Sequence, residues 1–501
     1  VKQIILICIL FHTLITNAQH TLQLLIKSEK EKTPLPGTSA IIRSIPVSAV
    51  ADSNGYIIFS NLASATYKVT ISYVGFEEKL VSLIVPFSTN EPIEILLDER
   101  VEEEEEVIVM SVRTSRILSN TPTRVEIISG EELEEKANMK PGDIRMLLNE
   151  STGIQTQQTS ATSYNSSIRI QGLDGRYTQI LRDGYPLYAG FSGGLSIMQI
   201  TPLDLKQVEV IKGSSSTLYG GGAIAGLVNL ISKTPGKEKE ISFMANATSA
   251  KGIDLSSFYS QRFTKTGITV FGSANFGSPY DPASIGFTAI PKFKRYTINP
   301  RLFLYGKKTS AELGFSYITE NRIGGNINFI KKGETGYFEK NNTHRFTTQV
   351  GITHRTGDQS TLNFKNSYTR LNRIITIPSY QFQGVQQSSF SEVTFNRQRD
   401  KAGWVIGANM LTDDFAELKK TSTSLRNYHF NTYGAFVQNV WSPVNCFTVE
   451  TGLRLDYVSA YGFELLPRVS ALWKVNSQLS FRVGGGFGYK TPTVFNEESE
   501  R

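Results

Sequence analysis

The sequence predicts a mainly β protein: an N-terminal β-sandwich, a small α/β domain, then part of a transmembrane antiparallel β-barrel. Three observations carry this. From residue 241 onward apolar and polar residues alternate, as in Ile241-Ser242-Phe243, in 268–276 and in Leu453-Arg454-Leu455-Asp456-Tyr457. That is the two-residue period of strands with one apolar and one polar face. Short turns such as Lys265-Thr266, Lys307-Lys308 and Gly357-Asp358 alternate with longer polar loops expected at 278–292, 321–342 and 377–387, the asymmetry of outer-membrane barrels. Beyond the N-terminus no segment approaches the ~20 apolar residues of a spanning helix, so strands would have to make any membrane crossing.

Composition agrees with this reading without proving it. The 501 residues exceed one ordinary domain. Mean hydropathy is −0.18, a value typical of soluble chains, but alternation hides the apolar face of a barrel in the average. Net charge is +7, with acids clustered at 98–106 and bases scattered over the C-terminal half. No basic stripe interleaves with aromatics, which argues against nucleic-acid binding. Of the two cysteines, Cys8 lies in a segment expected to be removed, leaving Cys446 alone and no intramolecular disulfide.

The elements follow in order. Ile4 to Ile15 is an apolar run behind Lys2, followed by small or polar residues. It is too short to span a bilayer and reads as a signal peptide over 1–18. Residues 21–98 form the expected sandwich, with strand-like runs at 47–50, 56–59, 67–73 and 79–85 and an Asn54-Gly55 turn. Residues 99–120 open with the run Glu102 to Glu106, whose like charges disfavour packing and suit a linker. The stretch Val107-Ile108-Val109-Met110-Ser111-Val112 is extended in propensity. It fits either a buried strand or a free strand that adds to the edge of a partner sheet.

Residues 121–235 read as the α/β domain. Ser129 with Glu132 forms a capping-box pattern, and 143–149 suits a second helix. Strand-like runs follow at 167–171, 179–181, 207–211 and 226–231, with Asp183-Gly184 as a turn. The stretch 220–225 matches G-x-G-x-x-A, but the β-like LVNLIS follows where a dinucleotide fold needs a helix. Its glycines suit a tight turn and close packing instead. His344, His354 and His429 are scattered and give no haem cue. Asp413-Asp414 reads as an exposed turn rather than a calcium site. No nucleophile–base set stands out, no cofactor is expected, and the chain is not expected to be an enzyme.

Two stretches carry a resemblance. The segments SIRIQGLDGRYTQILRDGYPLYAGFSGG and QVEVIKGSSSTLYGGGAIAGLVNLIS resemble the plug domain of TonB-dependent outer-membrane receptors. DSNGYIIFSNLASATYKVTISYVGFEEK is similar to the carboxypeptidase-regulatory-like domain found ahead of many Bacteroidetes receptors, although no zinc-ligand spacing occurs in it. The resemblance implies an outer-membrane importer with a periplasmic N-terminal domain. Its barrel, from residue 236, would close with 22 strands, of which about 13 are legible here. An odd, unclosed sheet leaves backbone groups unpaired in lipid, and the chain ends at Arg501 without the aromatic final residue usual in that family. The sequence therefore reads as a fragment of the barrel.

By the same resemblance Val107, Ile108, Val109, Met110 and Ser111 form the TonB box. Tyr164, Tyr188 and Phe191 sit at the plug apex where ligand first touches. Arg169, Arg182 and Asp183 hold the plug inside the barrel as gating charges, though as residues alone they fit ordinary solvated turns equally. The implied partners are a TonB-type energy transducer with ExbB and ExbD, outer-membrane lipid and a ferric siderophore. Cobalamin is the alternative cargo, especially since PLYAGFSGGLSIMQITP resembles a loop of vitamin B12 receptors, with haem a minor one. A non-transporting adhesin or signalling receptor is the alternative of another class.

Overall fold

In the computed structural model the chain divides into two units, 1–106 and 107–501. Residues 20–492 are described, apart from 46, 87–90, 99–107, 112, 114–115, 159, 161–164, 188–196, 400, 419–425 and 477. The expected signal peptide lies outside the described residues.

Among the described residues the first unit holds seven strands: β1 (His20–Ser28), β2 (Ser39–Ile42), β3 (Val47–Val50), β4 (Tyr56–Leu62), β5 (Ala65–Ser72), β6 (Lys79–Val85) and β7 (Ile93–Leu97). They form two sheets, β4-β1-β7 and β3-β2-β5-β6. Alternate residues such as Leu22, Leu24, Ile26, Ile57, Phe59, Val69 and Ile71 meet in one core. At the expected turn Asp52 accepts from the backbone N–H of Asn54 at 2.9 Å and of Tyr56 at 2.8 Å. Gly55 takes φ +82° there, where a side chain would be strained.

The second unit begins with a short hairpin, β8 (Ile108–Val109) and β9 (Arg116–Ile117). A five-stranded mixed sheet follows, in the order β10-β15-β16-β13-β14, from β10 (Val125–Ser129), β13 (Thr178–Arg182), β14 (Tyr185–Pro186), β15 (Leu205–Lys212) and β16 (Gly226–Ser232). A second hairpin joins β11 (Ile154–Gln158) to β12 (Ser166–Ile170). Helices α1 (Gly130–Met139) and α2 (Arg145–Asn149) cover the sheet through Leu133, Leu147 and Leu148. The expected capping box does not form. Ser129 is fully extended as the last residue of β10, paired with Gln207, and its side chain caps nothing; Glu132 pairs with Lys136 instead.

Thirteen antiparallel strands then follow in strict sequence order: β17 (Glu240–Ala247), β18 (Ile253–Arg262), β19 (Thr266–Gly277), β20 (Lys292–Tyr305), β21 (Thr309–Gly325), β22 (Phe338–Gly357), β23 (Ser360–Ile377), β24 (Tyr380–Gln398), β25 (Ala402–Glu417), β26 (Tyr428–Val444), β27 (Phe447–Val458), β28 (Gly462–Lys474) and β29 (Ser480–Gly486). One face packs on the α/β domain and the other is exposed. On β28 Leu466, Arg468, Ser470 and Leu472 are buried, while Phe463, Leu465, Val469 and Trp473 point out. Trp404, Trp441, Trp473 and Phe481 mark the outer face at the short-turn end, and Tyr296, Tyr317, Tyr433, Tyr457 and Phe463 mark it toward the other. Trp473 and Phe463 stand ten residues apart on one strand. At about 3.3 Å per residue and about 40° of tilt that is about 25 Å, the height of a membrane band.

Two sequence expectations are corrected here. Residues 377–387 are not a long loop: β23 and β24 pair without a gap from Ile377↔Tyr380 onward. Phe382, Gly384 and Gln386 face inward, and the outward positions Gln381, Gln383 and Gln387 are polar because this rim stands above the aromatic band. Asp413-Asp414 is no turn but part of β25. Asp413 accepts from Gln386 at 2.8 Å, and Asp414 pairs with His429 on the outer face. The loop between β20 and β19 matches expectation, and that between β21 and β22 narrows to 326–337.

Candidate functional site

Three groups of residues lie where the α/β domain meets the inner face of the sheet. The first is an ionic anchor. Asp183 occupies the β13–β14 turn at φ +53°. One carboxylate oxygen accepts from Ser232 N–H at 2.8 Å and the other lies 3.3 Å from Arg301 of β20. Lys365 of β23 donates to the Asp183 carbonyl at 2.7 Å. Arg182 pairs with Asp204 and donates to Ser232 Oγ at 2.9 Å. Burial pushes the Asp183 carboxyl up, but Arg301 and then Arg182 outweigh it and hold it below the usual carboxylate range. Arg169, the third residue of the expected gating set, sits in the β11–β12 hairpin opposite Gln155 and is not brought to this anchor.

A second buried set reinforces it. Arg295 donates to Gly142 O at 2.6 Å and to Met198 O, and lies 3.3 Å from Glu320. Arg322 lies 2.5 Å from the other oxygen of Glu320. Arg145 pairs with Asp143 at 2.9 Å, and Arg373 donates to Asn341 at 2.8 Å. With Arg345, four guanidinium groups of the sheet and Arg145 of the α/β domain gather here against four carboxylates, Asp143, Asp254, Glu320 and Glu339. The local field is positive.

The second group is aromatic and lies at the end of the sheet away from the short turns. Phe382, Phe415, Tyr428 and Phe430 face inward from β24, β25 and β26, with Tyr461 beside them. Ring centroids are 6.2 Å apart for Phe382–Phe415, 5.6 Å for Phe415–Tyr428, 4.9 Å for Tyr428–Phe430 and 5.8 Å for Phe430–Tyr461. Leu371 and Ile375 back this group, and the Arg426 guanidinium stands 5.2 Å from the Phe382 ring. Phe382, Phe415 and Gln386 are buried, so the ring faces left to a ligand are those of Tyr428, Phe430 and Tyr461, beside Asp413. Sequence reasoning missed it, because Phe382 was placed in a loop. The alternation Phe382-Gln383-Gly384 was the available signal. Tyr164, Tyr188 and Phe191, the residues expected to meet ligand, lie outside the described residues.

The third group surrounds the N-terminal strap at 107–117. Val107 lies outside the described residues. Val109 is buried with Val125, Leu181, Ile211 and Leu227. Glu209 of β15, wholly buried, accepts from Met110 N–H and Ser111 N–H, each at 2.7 Å, from the Ser111 hydroxyl, and from Gln207 at 2.6 Å. Tyr219 OH donates to Ser111 O at 2.7 Å; burial pushes this phenol up to about 12. Arg113 stands over the Tyr219 ring at 4.7 Å and 2.6 Å from Glu392 of β24.

The glycine cluster is a packing device, as its β-strand sequel suggested. Gly220 and Gly222 take φ +78° and +96°. A Cβ on Gly221 would stand 2.8 Å from the Tyr489 ring, and Gly222 N–H donates to Tyr489 O at 2.9 Å. The three barrel histidines face outward, with His344 bonded to Tyr317, His354 to Thr309 and His429 to Asp414 and Asn431.

An α/β domain seated against the inner face of an outer-membrane β-sheet, anchored by buried ion pairs, defines a plugged outer-membrane receptor. The chain belongs to the TonB-dependent receptors: the TonB-dependent receptor plug domain matches residues 118–227 and the TonB-dependent receptor-like β-barrel matches 250–499. The CarboxypepD_reg-like domain matches 25–109. The iron-regulated outer membrane virulence protein of Vibrio cholerae is 22% identical over 422 residues, 78% of this chain and 60% of that protein. The vitamin B12 transporter BtuB of Vibrio vulnificus is 29% identical over 154 residues, 31% of this chain and 25% of that protein. Among solved structures, the siderophore receptor PirA of Acinetobacter baumannii superimposes with TM-score 0.63 at 18% identity, covering 77% of this chain and 63% of that one. A mutant of the ferric enterobactin receptor PfeA of Pseudomonas aeruginosa gives 0.62 at 15% identity, covering 77% and 64%. The chain spans about 60% of the length of that Vibrio cholerae protein. It is an outer-membrane protein, and its family comprises transporters rather than enzymes.

Proposed function

We propose that this receptor imports a ferric siderophore across the outer membrane. Ligand binds the inward aromatic surface and the extracellular loops, and the plug then opens a path under force from a TonB-type protein with ExbB and ExbD. The observation that supports the cargo reading is the pairing of an aromatic mouth, Tyr428, Phe430 and Tyr461 backed by buried Phe382 and Phe415, with an inner wall rich in arginine. Stacking faces suit the planar iron-chelating rings of many siderophores, and the positive field favours anionic complexes. The 22-strand closure expected of the family would complete the wall around this mouth. Residues 107–111 serve as the coupling strand.

A second reading, cobalamin uptake, is favoured by the similarity over 154 residues to a vitamin B12 transporter. Uptake assays in cells carrying the receptor, with labelled ferric siderophores and labelled cobalamin in parallel, separate the two. Accumulation of cobalamin alone would overturn the iron reading. Binding of either label without accumulation would favour a non-transporting receptor.

A further inference from the structure

We propose that Glu209 is a positioning residue for energy coupling: its carboxylate clamps residues 110–111 in a turn that cannot add to a partner sheet. The inference rests on the reading of 107–111 as the coupling strand. In an extended strand successive N–H groups point to opposite sides. Here those of Met110 and Ser111 converge on one carboxylate, the nest geometry in which consecutive amides hold an anion. The turn closes through Arg113 N–H to Met110 O at 3.1 Å, with Arg113 at φ +60°. Ser111 O, which an incoming strand would also need, is taken by Tyr219.

The groups that strand addition requires are thus already spent inside the plug. Among the described residues Glu209 receives four hydrogen bonds, none of them from a cation. Its charge is stabilised largely by the strap, and the strap's bend is stabilised by that charge. The clamp and a TonB-type strand compete for the same amides, so coupling requires Glu209 to release them. Glutamine at this position keeps the shape but presents an N–H₂ group to two donors, leaving at least one amide unmatched.

The test uses the receptor in outer-membrane preparations, with Cys8 and Cys446 replaced by serine because Cys446 is exposed. Val109→Cys reports release of the strap, since Val109 is fully buried, and Leu230→Cys reports the separate plug core, where Leu230 is fully buried. Adding Glu209→Gln should speed maleimide labelling of Val109→Cys about tenfold or more without ligand, and leave Leu230→Cys unchanged. Retention of the purified C-terminal domain of a TonB-type protein should rise in parallel. Unchanged labelling at position 109 overturns the clamp. Equal acceleration at both positions overturns it too, because Glu209 would then only support the plug fold. Faster labelling at 109 without added TonB retention supports the clamp and overturns the reading of 107–111 as the coupling strand.

Discussion

Asp183 of the plug and Arg301 of the wall face each other at 3.3 Å, both largely buried, at a turn whose backbone carbonyl is held by Lys365. Breaking a buried pair strands the remaining charge, at a cost of about 3–5 kcal/mol. Asp183→Ala should therefore loosen the plug well before the wall unfolds. Limited proteolysis of the purified protein should cut the plug of the variant at protease levels that leave the native protein whole.

The same pair sets a pH dependence. The Asp183 carboxyl titrates below its ordinary 3.8 in the folded protein. Its stabilisation is full above that ordinary value and is lost as pH falls through the folded one, because the unfolded chain takes up the proton first. Thermal melts between about pH 5 and about pH 2 should fall more steeply for the native protein than for Asp183→Asn, which has already lost this term. Parallel curves would remove Asp183 as the source.

Gly226 begins β16 at φ +153°, and a Cβ there would stand 2.2 Å from the backbone oxygen of Ile211. The contact is with a paired strand rather than a movable side chain. Gly226→Ala should cost about 3 kcal/mol or more and leave the plug protease-sensitive while the wall persists.

The aromatic mouth makes a binding prediction. Tyr428→Ala and Phe430→Ala each remove a stacking face, worth about 0.5–1.5 kcal/mol beyond the lost area. Ferric siderophore affinity should drop about tenfold for each, read by calorimetry, with barrel stability less affected. Deleting residues 107–111 should do the opposite: surface binding stays and uptake disappears.

On the outer face, Val469 is more than half exposed within the apolar band of β28. Val469→Arg should cost about 2–4 kcal/mol when folding into vesicles is measured near the bilayer midplane. Arginine at the inward neighbour Arg468 is native, paired with Glu450 at 3.0 Å.

Much of this was legible because each signal is local. Strands β17, β19, β27 and β29 show their period outright, and the runs at 167–171, 179–181, 207–211 and 226–231 fall within a residue or two of β12, β13, β15 and β16, while β10, β11 and β14 escape that reading. The misreadings have separate causes. Gln381, Gln383 and Gln387 looked like loop because the wall continues above the lipid, where the outer face turns polar and the contrast between faces fades. Ser129 had the right letter for a cap but was already committed to a strand. Glu209 was invisible because its partners are backbone amides about a hundred residues away, and backbone donors leave no letter in a sequence. Arg301 lay in an alternating strand like many other basic residues, and only the fold shows which of them faces Asp183.

All three tryptophans of this chain, Trp404, Trp441 and Trp473, stand on the outer face at the short-turn end. The indole emission of this chain is therefore a gauge of one leaflet. Bromine-labelled phospholipid confined to the periplasmic leaflet would darken it, while plug rearrangement and cargo arrival would pass unseen. A single tryptophan placed in the plug, with these three replaced by phenylalanine, would give an optical readout of the gate against a silent wall.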